Sequence, residues 1–452
     1  MILLRRKRRT TRLSIMLWAL LISFVCGAIE LGEPLEDLYR GGRNLVRARP
    51  ADGKVVVVGL DDKTFDAMGK IYFSREHDAK VIDNLFAMGA KRVFFDRTYS
   101  GLTDEQGDAA FESALRRHPN KVYLGAITSI AGFTGKKSEI VPHPRYRTIA
   151  STATLNAHAT PFGLSMDIRY ADLFGNQSVR SISAEIADIT KRPGSLYRPD
   201  WSIQASTIPT YSFIDIENGT AKRSQIEGRD VIVGPTADRL HDFARIAGQG
   251  WIPGVYFHAV GAQTLREGTP RDLGWLVAWA IAGLFALALL KARDGRRSRA
   301  ITWGFVTLAI IAPFVFDWAF IKSDFLPAYL LFGIVRFRWK NLSDINLAER
   351  TNAGTMLPNL ASLHEVEEAS QRPVIALRIR NYAAIRASFR DSIGDELVSE
   401  LARRLDLPGE KTTFYQAEDV LYWLAPRISR QELNSHLEGL ARLAEAHLEL
   451  RG

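Results

Sequence analysis

Five residues in the first two-thirds of the chain have the types to do chemistry: Asp61, Asp62, Asp96, Asp242 and His258. Carboxylates gathered from distant positions make an acidic pocket for a cation or a cationic solute. Each of them, taken alone at a strand end, also suits helix capping and the satisfaction of backbone donors. His258 has no Glu or His at metal-ligand helical spacing, and no His-Glu-x-x-His pattern occurs. It reads as a buried packing and hydrogen-bonding histidine, and no metal site is expected. No Gly-x-Ser-x-Gly elbow is present to supply a hydrolase nucleophile. The single cysteine, Cys26, excludes an intrachain disulfide framework and a cysteine-based zinc site.

The elements that must position these residues are legible around them. Val55 to Leu60 (VVVVGL) is a β-branched run of the kind that forms a strand buried on both faces, and it ends at Asp61-Asp62. His77 to Met88 reads as an amphipathic helix with Val81, Ile82, Leu85 and Phe86 on one face, stopped by Gly89. Arg92 to Asp96 is the next strand, which makes a right-handed βαβ unit with an acid at the carboxyl end of each strand. Open α/β sheets bind ligands at that edge. Asp230 to Gly234 is a further buried strand, followed by a polar loop through Thr236 and Asp242 and by a helical stretch, Val255 to Leu265, that carries His258. The stretch from about 125 to 205 is poor in such signals and reads as an insertion of loops with a hairpin.

The chain has 452 residues, enough for two or three domains, and carries 59 Lys and Arg against 50 Asp and Glu, a net charge of +9. A mean hydropathy of −0.07 excludes a polytopic transporter but accommodates a few membrane helices. The basic excess is concentrated beside apolar runs. Arg5, Arg6, Lys7, Arg8, Arg9 and Arg12 precede the uncharged run Leu13 to Ile29, which by the positive-inside rule leaves the cytoplasm. A cleaved signal peptide with Cys26-Gly27-Ala28 as its site is the rival reading.

Three further runs, 273–290, 300–316 and 325–339, are expected to cross in, out and in, with Asp317, Lys322 and Asp324 in a tight external hairpin. The plan is then a basic cytoplasmic N-terminus (1–12), a first span (13–30), an extracytoplasmic domain (31–272), three spans (273–339) and a cytoplasmic domain (340–452). It implies the bacterial inner membrane, with the lipid bilayer as a partner. In this plan the arginine runs are topology signals, and no nucleic-acid partner is expected.

The ordered blocks VVVVGLDDKTF, the Arg75/His77 helix start, RVFFDRTYSG, EGRDVIVGPTADRLHDF and IPGVYFHAVGAQTL resemble the type-2 CHASE domain. The resemblance implies an α/β sensor with a mainly parallel sheet, an undefined extracytoplasmic ligand, and no enzymatic activity in this part. The family is usually followed by three membrane helices, as the apolar runs here suggest.

After residue 340, TMLPN, IALRIRNYAAI, IGDELVSELARRL and QAEDV follow in the order of a GGDEF domain, the diguanylate-cyclase fold, and resemble it over about 100 residues. What the resemblance implies is an α+β frame without the chemistry. The first-strand metal position is Arg378, with Arg380 two residues on. The nucleotide-holding positions fall at Arg386 and Ala387. The signature reads Gln416-Ala417-Glu418-Asp419-Val420, with side chains where two glycines admit the nucleotide. The Arg-x-x-Asp inhibitory element would fall on Leu407 to Glu410, without its arginine. Glu418 and Asp419 then read as a solvated acid pair. Arg378, Arg380 and Arg386 read either as exposed strand arginines or as an anion pocket for nucleotide phosphates. The family's later strands are missing after about Leu448, so a shortened domain or a longer natural chain is expected.

The expected function is a transmembrane signalling receptor that relays an extracytoplasmic stimulus to a catalytically inactive GGDEF-like domain in cyclic-di-GMP signalling. The expected partners are a homodimeric second copy and a cytoplasmic signalling protein, and no cofactor is implied. An active cyclase, the N-terminal part of a cyclic-di-GMP phosphodiesterase and a non-catalytic membrane scaffold are the alternatives.

Overall fold

The computed structural model describes residues 2–130, 137–160, 163–292, 295–364, 366, 369, 372–388, 391–406, 412–426 and 430–445. The chain divides into two compact units, Leu21–Leu331 and a second that joins the residues up to Leu20 with those from Phe332 onward.

Two helices open the chain, α1 (Ile2–Ala28) and α2 (Glu33–Val46). The larger unit is then built on a seven-stranded sheet. Its strands are β1 (Val55–Leu60), β2 (Arg92–Thr98), β3 (Val122–Ile130), β4 (Lys137–Ile140), β5 (Ser151–Thr154), β6 (Thr210–Ser212) and β7 (Asp230–Pro235). The order is β6-β1-β7-β2-β3-β4, with β5 also on β3, and every pairing is parallel except β3 with β4. All six residues of β1 are buried, as a strand covered on both faces must be. Val56, Val58 and Leu60 enter one core, with Val81, Ile82 and Leu85 of α4 (Arg75–Ala87) and Phe111 of α5 (Glu105–Arg117). Val55 and Val57 enter the other, with Val255, Ala259 and Val260 of α6 (Val255–Glu267).

The βαβ unit expected between β1 and β2 is opened. β7 lies between the two strands, with Val57 beside Ile232 and Ile232 beside Phe94. Strand order rests on pairings between residues far apart in sequence, which local pattern does not encode. The 125–205 stretch is also richer than expected. Besides β4 and β5 it holds a three-stranded antiparallel patch and a hairpin, Ala171–Phe174 with Gln177–Arg180.

Among the described residues, two helices are long and apolar enough to cross a membrane, within α1 (Thr11–Ala28) and α8 (Gly295–Trp318). Between them α7 (Leu276–Lys291) is apolar but has only 16 residues. The run expected from 273 starts later because Arg271–Gly274 is a strand, paired in parallel with Ile321–Ser323 of the hairpin after α8. The last run becomes α9 (Leu326–Ala348), longer than expected and carrying Arg336, Arg338 and Lys340, so it fails the test of composition that α1 and α8 pass. Aromatic rings gather near residue 275. Phe24 packs edge-on against Trp275 and Trp279 with ring centres 5.1 and 5.7 Å apart, and Trp279 donates to Ser23 Oγ at 2.9 Å.

In the second unit, a three-stranded antiparallel sheet has the order β8-β10-β9, where β8 is Val374–Arg378, β9 Tyr415–Ala417 and β10 Val420–Leu424. Leu397, Val398, Leu401 and Leu405 of the helix Asp391–Leu405 form its core with Leu421 and Trp423. The helix expected over 360–369 is described only as Leu360–His364, and the final helix as Arg430–Glu445. Leu407 to Glu410 and the end near Leu448 lie outside the described residues.

Candidate functional site

The carboxyl edge of the parallel sheet separates the five candidates into two sets. Asp61 caps α3 (Asp62–Met68): its Oδ1 accepts from Thr64 N at 2.9 Å, Thr64 Oγ1 at 2.6 Å and Ser212 Oγ at 2.8 Å. Asp62 faces outward and accepts from Arg239 Nε at 2.5 Å, while Arg239 also holds Asp66 at 2.9 Å. Both side chains are committed to local structure.

Asp96, His258 and Asp242 form the second set. Asp96 leaves the end of β2 with its side chain 9% exposed, and His258, 3% exposed, approaches from α6 with Nε2 3.8 Å from Asp96 Oδ1. That separation is beyond a hydrogen bond. Burial, with the nearby negative charge of Asp242 adding to it, pushes the Asp96 carboxyl up to about 7. Burial also raises Asp242 and brings His258 down to about 4. Burial thus favours the neutral form of both partners, so they do not stand as an ion pair.

His258 Nδ1 and Thr236 Oγ1 are both buried and make no hydrogen bond among the described residues. The edge is tightly built at Gly234, where a Cβ would stand 2.9 Å from both Asp96 Cβ and Val255 Cγ2. Among the described residues no three His, Cys, Asp or Glu side chains have metal-holding geometry. The unpaired His258 Nδ1 and Thr236 Oγ1 leave hydrogen-bonding capacity at this edge beside Asp96 and Asp242.

Sequence reasoning missed a polar cluster beside this edge. Arg75, at the start of α4, donates to Asp108 Oδ1 at 2.8 Å and to Tyr146 Oη at 2.6 Å, and Arg97 donates to Asp78 Oδ1 at 2.8 Å. Both guanidinium groups lie over the ring of Tyr99, at 5.4 and 5.3 Å. Two cations meet two carboxylates here, so the charges of the cluster balance.

It also missed α2, whose charged side chains point inward. Glu36 Oε2 accepts from the backbone N–H groups of Phe325 and Leu326 at 3.0 and 3.1 Å. Arg43 Nε donates to Asp317 Oδ2 at 2.8 Å, and Arg40 to Asp324 Oδ1 at 3.2 Å. On the side of the sheet-bearing core, Asp37 accepts from Thr160 Oγ1 at 2.8 Å and Arg198 Nη1 at 3.1 Å, and Arg47 donates to Asp200 at 3.0 Å. A cleft of about 460 Å³ lined by Arg40, Arg47, Arg198, Asp200, Asp317 and Lys322 lies within this network. One helix thus joins the sheet-bearing core to the turn between α8 and α9 by ionic contacts. The signal was present in the charge spacing 36, 40, 43 and 47, one side of a helix.

In the smaller unit, β9 and β10 are joined by the two-residue turn Glu418-Asp419, with Glu418 at φ 48°. Asp419 accepts from Arg378 Nε at 2.7 Å, and that cation holds its carboxyl below the usual range. Gln416 is 5% exposed. Its Oε1 accepts from Thr355 Oγ1 at 2.5 Å, while its backbone N–H donates to Pro358 O at 2.7 Å. Ala417 and Val420 pair directly across the hairpin. Arg380 is exposed on the segment after β8, and Arg386 packs its stem against Gly394.

Residues 15–290 match the family model of the CHASE2 domain. The match spans more than half of the chain, and the chain belongs to the CHASE2 family, whose domain is an extracellular sensor. No curated protein and no solved structure matches it.

Proposed function

We propose that this protein is a multi-pass membrane receptor of the bacterial inner membrane, with its CHASE2 sensor in the periplasm and its C-terminal unit in the cytoplasm. The observation that carries this reading is the CHASE2 match, taken with the ionic contacts by which α2 links sensor residues to the α8–α9 turn. In this reading α1, α7, α8 and α9 all cross, and the receptor works as a homodimer. Asp96, Asp242 and His258 form the polar site that meets a periplasmic solute or proton. A stimulus there acts only through its different affinity for two arrangements of the membrane helices.

The C-terminal unit acts as a degenerate GGDEF-like domain in cyclic-di-GMP signalling, through contact with a cytoplasmic partner. The Arg378–Asp419 ion pair supports this: Arg378, which the GGDEF resemblance sets at the Mg²⁺ position, is a cation already neutralised by the turn acid. Incubating the full chain in detergent with GTP and Mg²⁺ is expected to yield no cyclic-di-GMP above a protein-free control. Product formation that disappears in Asp419→Ala would overturn the non-catalytic reading.

A further inference from the structure

The helix α2 is amphipathic in the reverse sense. Glu36, Asp37, Arg40, Arg43 and Asn44 are each at most 7% exposed, while Leu35, Leu38, Leu45 and Val46 are 55–77% exposed. The outward arc runs Leu35, Tyr39, Gly42 and Val46, flanked by Leu38 and Leu45, and holds no charged or amide side chain. A helix surrounded by water would turn these faces the other way.

The direction of α2 follows from its contacts. Glu36 holds the first turn of α9 and Arg43 the last turn of α8. Seven residues of helix cover about 10 Å, the ordinary distance between two packed helix axes. The helix therefore steps from the axis of α9 to that of α8, across their ends rather than along them. Tyr39 rests edge-on against Tyr329, inside α9, with ring centres 6.1 Å apart. Asp37 and Gly41 face the opposite way, into the sensor, where Gly41 closes on Ala247. The apolar arc thus lies on the side of the helix ends, away from the sensor.

We propose that α2 is an interfacial helix, lying in the plane of the outer leaflet with its apolar arc in contact with lipid at the boundary of headgroups and acyl chains. The inference rests on the membrane placement of α8 and α9 proposed above. The occupant is lipid because the arc is continuous with that boundary: α1 ends at Ala28, with four residues between it and the start of α2 at Glu33, and α8 ends on Trp318, 70% exposed, a residue type favoured at this depth. The charges that an ordinary interfacial helix turns to water are here matched by protein carboxylates and guanidinium groups.

The test uses the full chain with Cys26→Ser, reconstituted in phosphatidylcholine vesicles and carrying one nitroxide label at a time. Labels enter at Leu38→Cys, Leu45→Cys and Gly42→Cys, the last at a position with no atom within 4 Å of its added Cβ, so that no packing is lost. References are Ile310→Cys in α8, 59% exposed, and Tyr72→Cys in the sensor, 91% exposed. The ratio of collisions with oxygen to collisions with a water-soluble nickel chelate is expected to exceed that at residue 72 by about fivefold or more at 38, 42 and 45, as for a lipid-facing helix. Ratios at these positions equal to that at 72, with 310 still lipid-like, would overturn the interfacial helix and leave the spans standing. A water-like ratio at 310 would overturn the membrane placement and the inference with it. Shielding from both reagents, with spin–spin broadening removed by dilution with unlabelled chain, would assign the arc to a second copy and also overturn the inference.

Discussion

Asp96 and His258 are buried side by side, and their titrations act on stability in opposite directions. Asp96 keeps its proton in the fold up to about 7 against an ordinary value of 3.8, so between these values the folded state binds the extra proton. Stability then falls as pH rises through that window, and the raised Asp242 adds to the fall. His258 takes up a proton in the fold only near 4 against an ordinary 6.5, so between these values the unfolded chain binds the extra proton and stability rises with pH. The two slopes, each at most about 1.4 kcal/mol per pH unit, oppose one another from about 4 to 6.5. Above 6.5 only the acid's fall remains. Denaturant unfolding of Asp96→Asn, as a difference from the native chain, isolates the acid and is expected to rise with pH between about 4 and 7. The same difference for His258→Gln isolates the imidazole and is expected to fall with pH between about 4 and 6.5. A difference that stays flat with pH in both variants would mean that neither group titrates as its burial requires.

At the scale of the element, α2 ties the CHASE2 core to the last turn of α8 and the first turn of α9 through buried charged contacts. Arg43 is 2% exposed and Asp317 11%, so the pair gains little net energy but is costly to break. Asp317→Leu leaves Arg43 buried without its closest carboxylate, and a loss of about 3–5 kcal/mol in denaturant unfolding is expected. The double change Arg43→Met with Asp317→Leu is expected to recover more than half of it, because no unpaired charge then remains inside. A double variant no more stable than Asp317→Leu would show that the ion pair does not account for the cost. The same helix shows where sequence reasoning stops. The spacing of its charges marks one face, but the usual rule puts charges outward, and only the positions of Asp317, Asp324 and Arg198 reverse it.

Across the whole molecule, the parts that could be read in advance were those set by neighbours in the chain. The β-branched run of β1 demanded a doubly covered strand, and Asp61 three residues before Thr64 is a capping pattern that the fold uses. Asp96 and His258 could each be singled out by type, but their meeting depends on β7 entering between β1 and β2 and on α6 crossing that edge, which are long-range pairings. The bounds of the apolar helices shifted for a similar reason. Arg271–Gly274, read as the start of a span, is claimed by a strand more than forty residues further on.

The central claim is that the sensor and the C-terminal unit lie on opposite sides of one bilayer. It is tested most directly with a membrane-impermeant thiol reagent on spheroplasts expressing the Cys26→Ser chain with either Tyr72→Cys or Ser399→Cys, both exposed positions. Labelling at 72 in intact spheroplasts, and at 399 only after lysis, is the predicted result. Equal labelling of both positions before lysis would contradict it.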